Sequence, residues 1–193
     1  LLIAEEYIEG EVLSHYFSTG NFEEYEWLDI AMQLCQALKQ LHSLEPPIIH
    51  RDIKPSNIII DPMGKVKIID FDSSRLHKEE ATEDTRRLGT EQYAPPEQYG
   101  FSQTDNRSDI YSLGVVLGMF PSFVSETRQY KWKQLVEKCT LFAPESRFQS
   151  VDEIIEAIER IDVPDNTNKW KKLVTFGIIL LFVDKWFKNP KIN

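Results

Sequence analysis

Apolar residues recur along this chain with two different periods, and an element begins or ends where the period changes. Trp27, Ile30, Ala31, Leu34, Leu38 and Leu41 keep helical spacing. They predict a helix with one buried face, with Asn21 as N-cap and acids at Glu23 and Glu24 in its first turn. Pro46-Pro47 prevents it from continuing, because proline has no amide hydrogen to donate. Upstream, Leu1-Leu2-Ile3-Ala4 reads as a strand entering a connector that stops at Gly10, and Val12 to Phe17 as a short helix ended near Gly20. Ser108 to Met119 is apolar almost all round, the pattern of a helix through a domain centre. Tyr130 to Phe142 and Val151 to Ile161 are two further amphipathic helices.

Two short apolar runs around a turn read as strands. Asn57-Ile58-Ile59-Ile60-Asp61 and Lys65-Val66-Lys67-Ile68-Ile69-Asp70 flank Pro62-Met63-Gly64, which predicts a short hairpin holding Asn57 and Asp70 close in space. A polar stretch runs from Ser73 to Glu97, and Asp162 to Asn168, with Pro164, is a polar linker. No internal repeat or low-complexity tract is present.

Composition sharpens this picture in two respects. With 193 residues and 41% hydrophobic content the chain can form one domain with a substantial core. Its net charge of −9 is unevenly spread: from Lys169 onward it is +5, so the body before it carries −14. An acidic body argues against nucleic acid as a partner. The tail is also apolar, with eleven mostly apolar residues from Leu173 to Val183 and eighteen from Trp170 to Phe187, aromatic at both ends. A spanning helix needs about 20 residues. The tail is therefore expected to meet a membrane as a marginal span or an in-plane anchor, with a packed C-terminal helix or a frame-shifted end as the alternatives. Cys35 and Cys139 lie in no metal or redox motif and read as reduced, buried thiols of a cytosolic protein. No signal peptide is seen, since Leu1 already lies in an apolar run.

The chemistry is concentrated in His50-Arg51-Asp52-Ile53-Lys54-Pro55-Ser56-Asn57, followed thirteen residues after Asn57 by Asp70-Phe71-Asp72. Two acids and an amide at these intervals suit phosphoryl transfer from Mg·ATP. One carboxylate accepts a hydroxyl proton, and an amide oxygen with a second carboxylate can ligate a hard cation. The run resembles the catalytic loop of bacterial eukaryotic-like serine/threonine protein kinases. That resemblance implies Asp52 as base and Lys54 as the residue neutralising charge on the transferred group. It implies Asn57 and Asp70 as Mg²⁺ ligands, and backbone groups at Glu6 and Ile8 as the adenine contact. His50 reads as a packing residue of the loop.

Gly89-Thr90-Glu91-Gln92-Tyr93-Ala94-Pro95-Pro96-Glu97 resembles the end of the family's activation segment. By that resemblance Thr90 sits against Asp52 and Lys54, Glu97 pairs with Arg147, and Asp109 anchors the catalytic loop through backbone amides. Arg51 is the arginine that holds a phosphorylated activation segment, or pairs with a neighbouring acid. Thr85, beside Arg86-Arg87, and Thr82 are the phosphorylation candidates, with Ser73 and Ser74 behind them.

The chain departs from the family at three points. Asp72 stands where the family has glycine, whose backbone freedom a carboxylate residue lacks. No Gly-x-Gly-x-x-Gly loop, no Val-Ala-Ile-Lys lysine and no glutamate partner for it are found. About ten residues, Phe120 to Gln129, stand where the family has a longer, substrate-docking connection.

The expected fold is mainly α: a protein-kinase-like C-lobe with a small β-hairpin at the catalytic loop and a truncated N-lobe. Residues 1–10 form the last N-lobe strand and hinge, 11–161 the C-lobe, 162–168 a linker and 169–193 the tail. The implied function is ATP- and Mg²⁺-dependent phosphorylation of Ser/Thr hydroxyls on protein substrates. The lobe is expected to be a fragment of a longer kinase, with a truncated gene product as the alternative, and to face the cytoplasm with a membrane anchor at residues 170–187. A pseudokinase or regulatory scaffold is the alternative.

Overall fold

The computed structural model describes residues 7–19, 23–76, 90–99, 104–120 and 126–161. The strand expected at Leu1 to Ala4, Glu6, Thr82, Thr85, the linker and the whole tail lie outside them. Among the described residues no helix is long and apolar enough to cross a membrane.

The order is β1 (Glu11–Val12), α1 (Leu13–Thr19), α2 (Glu24–His42), β2 (Ile48–Ile49), β3 (Ile58–Ile60), β4 (Val66–Ile68), β5 (Arg75–Leu76), α3 (Asn106–Gly118), α4 (Glu126–Cys139) and α5 (Val151–Glu159). Four helices, α2 to α5, make the core. α2 buries Trp27, Ile30, Ala31, Leu34 and Leu38, while Leu41 is half-buried. Its N-cap is Glu23 rather than Asn21, and the Glu23 amide donates to the Glu26 carboxylate at 2.8 Å in a capping box. α3 runs through the centre with Ile110, Leu113, Val116 and Leu117 fully buried. α4 starts one turn earlier than the sequence indicates, because Arg128 is drawn in to pair with Glu24 of α2. Phe17 of α1, Trp27 of α2, Phe120 just past α3 and Trp132 of α4 form one aromatic cluster, with ring centroids 5.1–5.9 Å apart.

The predicted hairpin forms, with Ile58 opposite Ile68 and Ile60 opposite Val66. It is one edge of a larger sheet. Glu11–Val12, expected to lie at a helix start, instead pairs antiparallel with Ile59–Ile60 and gives the order β1-β3-β4. Gly10 permits this, since a Cβ there would lie 2.5 Å from the Ile60 carbonyl oxygen. A second ribbon pairs Ile48–Ile49 with Arg75–Leu76, a strand inside the stretch read as polar loop. Asp61 Oδ1 accepts from the amides of Met63 and Lys65, both at 2.8 Å, which closes the hairpin turn. Gln33 of α2 fastens it to the helical core by donating to the Gly64 carbonyl at 2.9 Å and accepting from the Val66 amide at 3.0 Å.

Cys35 and Cys139 are free and fully buried, and burial raises both thiols, Cys139 to about 12. Cys139 abuts α3 at Gly114, where a Cβ would lie 2.3 Å from the cysteine Cβ. Neither backbone can retreat without opening the core, so Gly114→Ala is expected to destabilise the fold by about 1–3 kcal/mol, the usual cost of overpacking. Urea unfolding of the variant against the parent chain measures this, and an unchanged midpoint would contradict the close approach.

Candidate active site

Four elements bring the site together. β2 delivers the chain into the loop 50–54, a single turn at Pro55–Asn57 leads into β3, β4 returns to Asp70, and the segment 90–99 closes over the loop. The loop is held from beneath by α3. Asp109 has no exposed surface, and its carboxylate accepts from the amides of His50 and Arg51, both at 2.8 Å. Its Oδ2 also lies 2.9 Å from Nε2 of His42, at the end of α2. Above, Gln98 Nε2 donates to the Arg51 carbonyl at 2.5 Å. Arg51 is thereby tied at both its amide and its carbonyl, and it has φ +71°. This left-handed conformation is costly for a residue with a side chain and persists only where neighbours impose it.

Asp52 follows directly. Lys54 Nζ donates to its Oδ2 at 2.7 Å, Asn57 Nδ2 to the same oxygen at 3.0 Å, and Thr90 Oγ1 to its Oδ1 at 3.0 Å. Lys54 Nζ also donates to Thr90 Oγ1 at 2.9 Å, so the threonine hydroxyl accepts from one residue and donates to the other. Burial alone would raise the Asp52 carboxyl. The hydrogen bonds from Lys54, Thr90 and Asn57, together with the lysine charge, outweigh it and hold the carboxyl below the usual carboxylate range. The group is thus ionised at neutral pH and able to accept a proton. Its side chain retains 10% exposure and that of Lys54 retains 20%, so the pair is sheltered and reachable.

Asn57 directs its amide nitrogen to Asp52, also reaching the Asp52 carbonyl at 3.0 Å, and this leaves the amide oxygen as a donor to a cation. The Ile69 amide donates to the Asn57 carbonyl at 2.9 Å, which fixes the start of Asp70 against Asn57. Asp70 is exposed and has φ +66°. An amide oxygen and a carboxylate are hard donors, and two protein ligands with the remainder from phosphate and water suit Mg²⁺. The described residues contain no group of three or more His, Cys, Asp or Glu that could hold a metal ion.

Asp72 raises less difficulty than its place in the motif implies. Among the described non-glycine residues only Arg51 and Asp70 have positive φ, so the conformation that favours glycine is not demanded at Asp72. His50 is fully buried, its ring 4.8 Å from that of Phe71, and burial pushes its imidazole down, which suits a packing residue. Burial and the neighbouring Arg75 guanidinium likewise push Arg51 down.

The segment 90–99 is locked at its far end by Glu97. Its two carboxylate oxygens receive Arg147 Nη1 at 2.7 Å and Nη2 at 2.9 Å, and Ser108 donates to Oε1 at 2.9 Å. Arg147 places its other hydrogens on the carbonyls of Leu141, Phe142 and Arg107, at 2.7, 2.9 and 3.0 Å. All five N–H donors of a buried guanidinium are therefore used.

Of the residues singled out from sequence, Asp52, Lys54, Asn57 and Thr90 form one cluster, Arg51 and Asp109 support it, and Glu97 with Arg147 closes the adjoining segment. Ile8 lies half-buried in the connector before β1. His42, Gln98 and Gln33 were not anticipated. Each acts across at least 31 residues of sequence, and only Gln98, after Ala94-Pro95-Pro96-Glu97, adjoins a motif.

The carboxylate cluster around Asp52 therefore sits on a helical core beside a small sheet. A family model described as "Protein kinase domain" matches residues 1–122. The chain belongs to this family. It is 33% identical to serine/threonine-protein kinase A of Synechocystis sp., over 81% of this chain and 37% of the relative. It is 39% identical to serine/threonine-protein kinase PrkC of Bacillus subtilis, over 60% of this chain and 18% of that one. The figures for serine/threonine-protein kinase PknB of Mycobacterium tuberculosis are 38%, 60% and 19%. The chain thus spans well under half the length of these curated relatives. Arg147 lies beyond the matched family region yet closes its ion pair with Glu97 inside it.

Removing one partner of such a buried pair costs about 3–5 kcal/mol, because the other charge is left without compensation. Arg147→Met is expected to lose stability on that scale in urea unfolding, and adding Glu97→Met is expected to recover part of it. A double variant less stable than the sum of the single losses would contradict this account of the pair.

Proposed function

We propose that this chain is the C-terminal lobe of a serine/threonine protein kinase that transfers the γ-phosphoryl group of ATP to Ser or Thr hydroxyls of proteins. The observation that carries this reading is the Asp52 carboxylate, held by Lys54, Thr90 and Asn57 at 2.7–3.0 Å. Asp52 accepts the proton of the acceptor hydroxyl as its oxygen bonds to the γ-phosphorus and the bond to the β-phosphate oxygen breaks. Lys54 neutralises charge gathering on the transferred oxygens. Thr90 orients both side chains and shapes the acceptor site. Asn57 and Asp70 hold Mg²⁺, which supplies charge neutralisation of the triphosphate when bound.

Backbone groups at Glu6 and Ile8 meet adenine. Arg51, with the Arg75 guanidinium beside it, receives phosphorylated Thr85 or Thr82, as paired cations favour a dianion. Asp109, Glu97 and Arg147 are architectural. Sequence alone supports a role for residues 170–187 in anchoring the lobe to the cytoplasmic face of a membrane: an apolar run flanked by lysines at 169, 171 and 172.

The full-length kinase is expected to phosphorylate itself on Ser/Thr in Mg·ATP, and Asp52→Asn to lower incorporation at least about 10²-fold, the lower range for a general base. Undiminished incorporation by that variant would exclude Asp52 as base, and labelling confined to tyrosine would exclude the acceptor class. The 193 residues alone contain no glycine loop or Val-Ala-Ile-Lys lysine, and their turnover is expected to be negligible.

A further inference from the structure

The peptide plane between Arg51 and Asp52 decides where the Asp52 side chain starts. On the near side of Arg51, Asp109 Oδ1 fixes the amide at 2.8 Å. That contact sets the plane before the Arg51 Cα and leaves φ and ψ of Arg51 to be settled from the other side. There the carbonyl of the next plane accepts from Gln98 Nε2 at 2.5 Å. The amide of that plane, which belongs to Asp52, lies 3.4 Å from His50 Nδ1, at the long end of hydrogen bonding. Gln98 is the tighter of these two handles on the plane from which Asp52 projects.

The support of Gln98 is stiff. The residue is 1% exposed, and a donor so enclosed is costly to leave without an acceptor. It stands on the single turn Pro96–Tyr99, and its own amide donates to the Pro95 carbonyl at 3.0 Å. Pro95 and Pro96 fix two successive φ angles just before it. Its neighbour Glu97 is clasped by Arg147 and Ser108. A side chain mounted in this way transmits position rather than absorbing it.

At its other end the same segment reaches Asp52 again, where Thr90 Oγ1 donates to Asp52 Oδ1 at 3.0 Å and accepts from Lys54 Nζ at 2.9 Å. Between the two grips the Thr90 carbonyl accepts from the amides of Tyr93 and Ala94, at 2.8 and 3.0 Å. One segment thus holds Asp52 twice, by the backbone that precedes it and by its carboxylate. A lifted segment releases both together. We propose that Gln98 is a positioning residue that ties the direction of the Asp52 carboxylate to the seating of the segment 90–99, so that the base is presented only when the acceptor segment is in place. The role of Asp52 rests on the kinase reading, while the tie is a property of the fold. Misplacing a reacting group by about 1 Å costs about 10²-fold in rate, so a loop free to turn at Arg51 leaves the site assembled and ineffective.

Gln98→Met keeps the length of the side chain and removes the donor. In the ¹⁵N-labelled 193-residue chain, the three-bond coupling between the amide and α hydrogens of Arg51 reports its φ of +71°. Gln98→Met is expected to change that coupling, because the left-handed conformation relaxes once the carbonyl is let go. Gly114→Ala, which strains the core away from the loop, is expected to lower the urea midpoint and leave the coupling as it is. Gln98→Glu, of the same shape with an ionised carboxylate against the carbonyl, serves if the methionine variant does not fold. An unchanged coupling in the Gln98 variant, or an equal change in Gly114→Ala, would overturn the tie. In the full-length kinase Gln98→Met is expected to lower kcat about 10²-fold with KM for ATP unchanged. A changed coupling beside an undiminished kcat would overturn the presentation of Asp52. The coupling is read without phosphoryl transfer, so failure here is distinct from failure of the kinase reading, which shows as an inactive parent.

Discussion

A single carboxylate with no exposed surface, that of Asp109, sets the terms for the rest of the molecule. An acid inside a protein is tolerated only when hydrogen bonds replace its lost water. Here the replacements are two consecutive backbone amides and an imidazole. Those amides belong to a loop that would otherwise relax, because Arg51 sits in a left-handed conformation that open chains avoid. The demand of the acid for donors and the demand of the loop for an anchor are met by the same contacts. Asp52 is the next residue, so its direction inherits from this junction.

Above the loop the same logic is repeated with polar closures rather than apolar packing. Gln98 seizes the Arg51 carbonyl, Thr90 bridges Lys54 to Asp52, and Ser112 Oγ donates to the Tyr93 carbonyl at 2.9 Å. Directional bonds specify geometry where a hydrophobic contact would specify only proximity. The apolar work is delegated to α2 through α5, whose buried faces hold these closures at fixed separations. Gln33 performs the corresponding service for the hairpin, which keeps Asn57 and Asp70 on a rigid support.

Much of this was legible in the residues themselves. The helical face of α2, the apolar girth of α3 and the hairpin follow from periodicity, and the cluster around Asp52 follows from a motif whose spacing is set by chemistry. The N-terminal turn of α4 was hidden because it depends on Arg128 meeting Glu24 across 104 positions. β1 was hidden because two residues carry no period, and only the partner strand makes them a strand. His42 and Gln98 escaped for a similar reason: an ordinary histidine at a helix end and a glutamine after Glu97 acquire their roles from groups 67 and 47 residues away. Asp72 escaped in the opposite sense, since the motif suggested a backbone cost that falls on Asp70 instead.

The placing of Arg147 has a consequence for how the molecule comes into being. Asp52, Asn57, Asp70, Thr90 and Asp109 are all translated before it, so a nascent chain ending at Phe142 holds every group of the reactive cluster. It lacks the guanidinium that neutralises Glu97 and gathers three carbonyls around it. Domains consolidate as units once their last long-range contacts can form. In this chain the Glu97–Arg147 pair is one of the late contacts, followed by the packing of α5 on α2 and the Lys39–Asp152 pair. The segment 90–99 therefore acquires its final fastening only after Arg147 has been made, well after the residues clustered around Asp52.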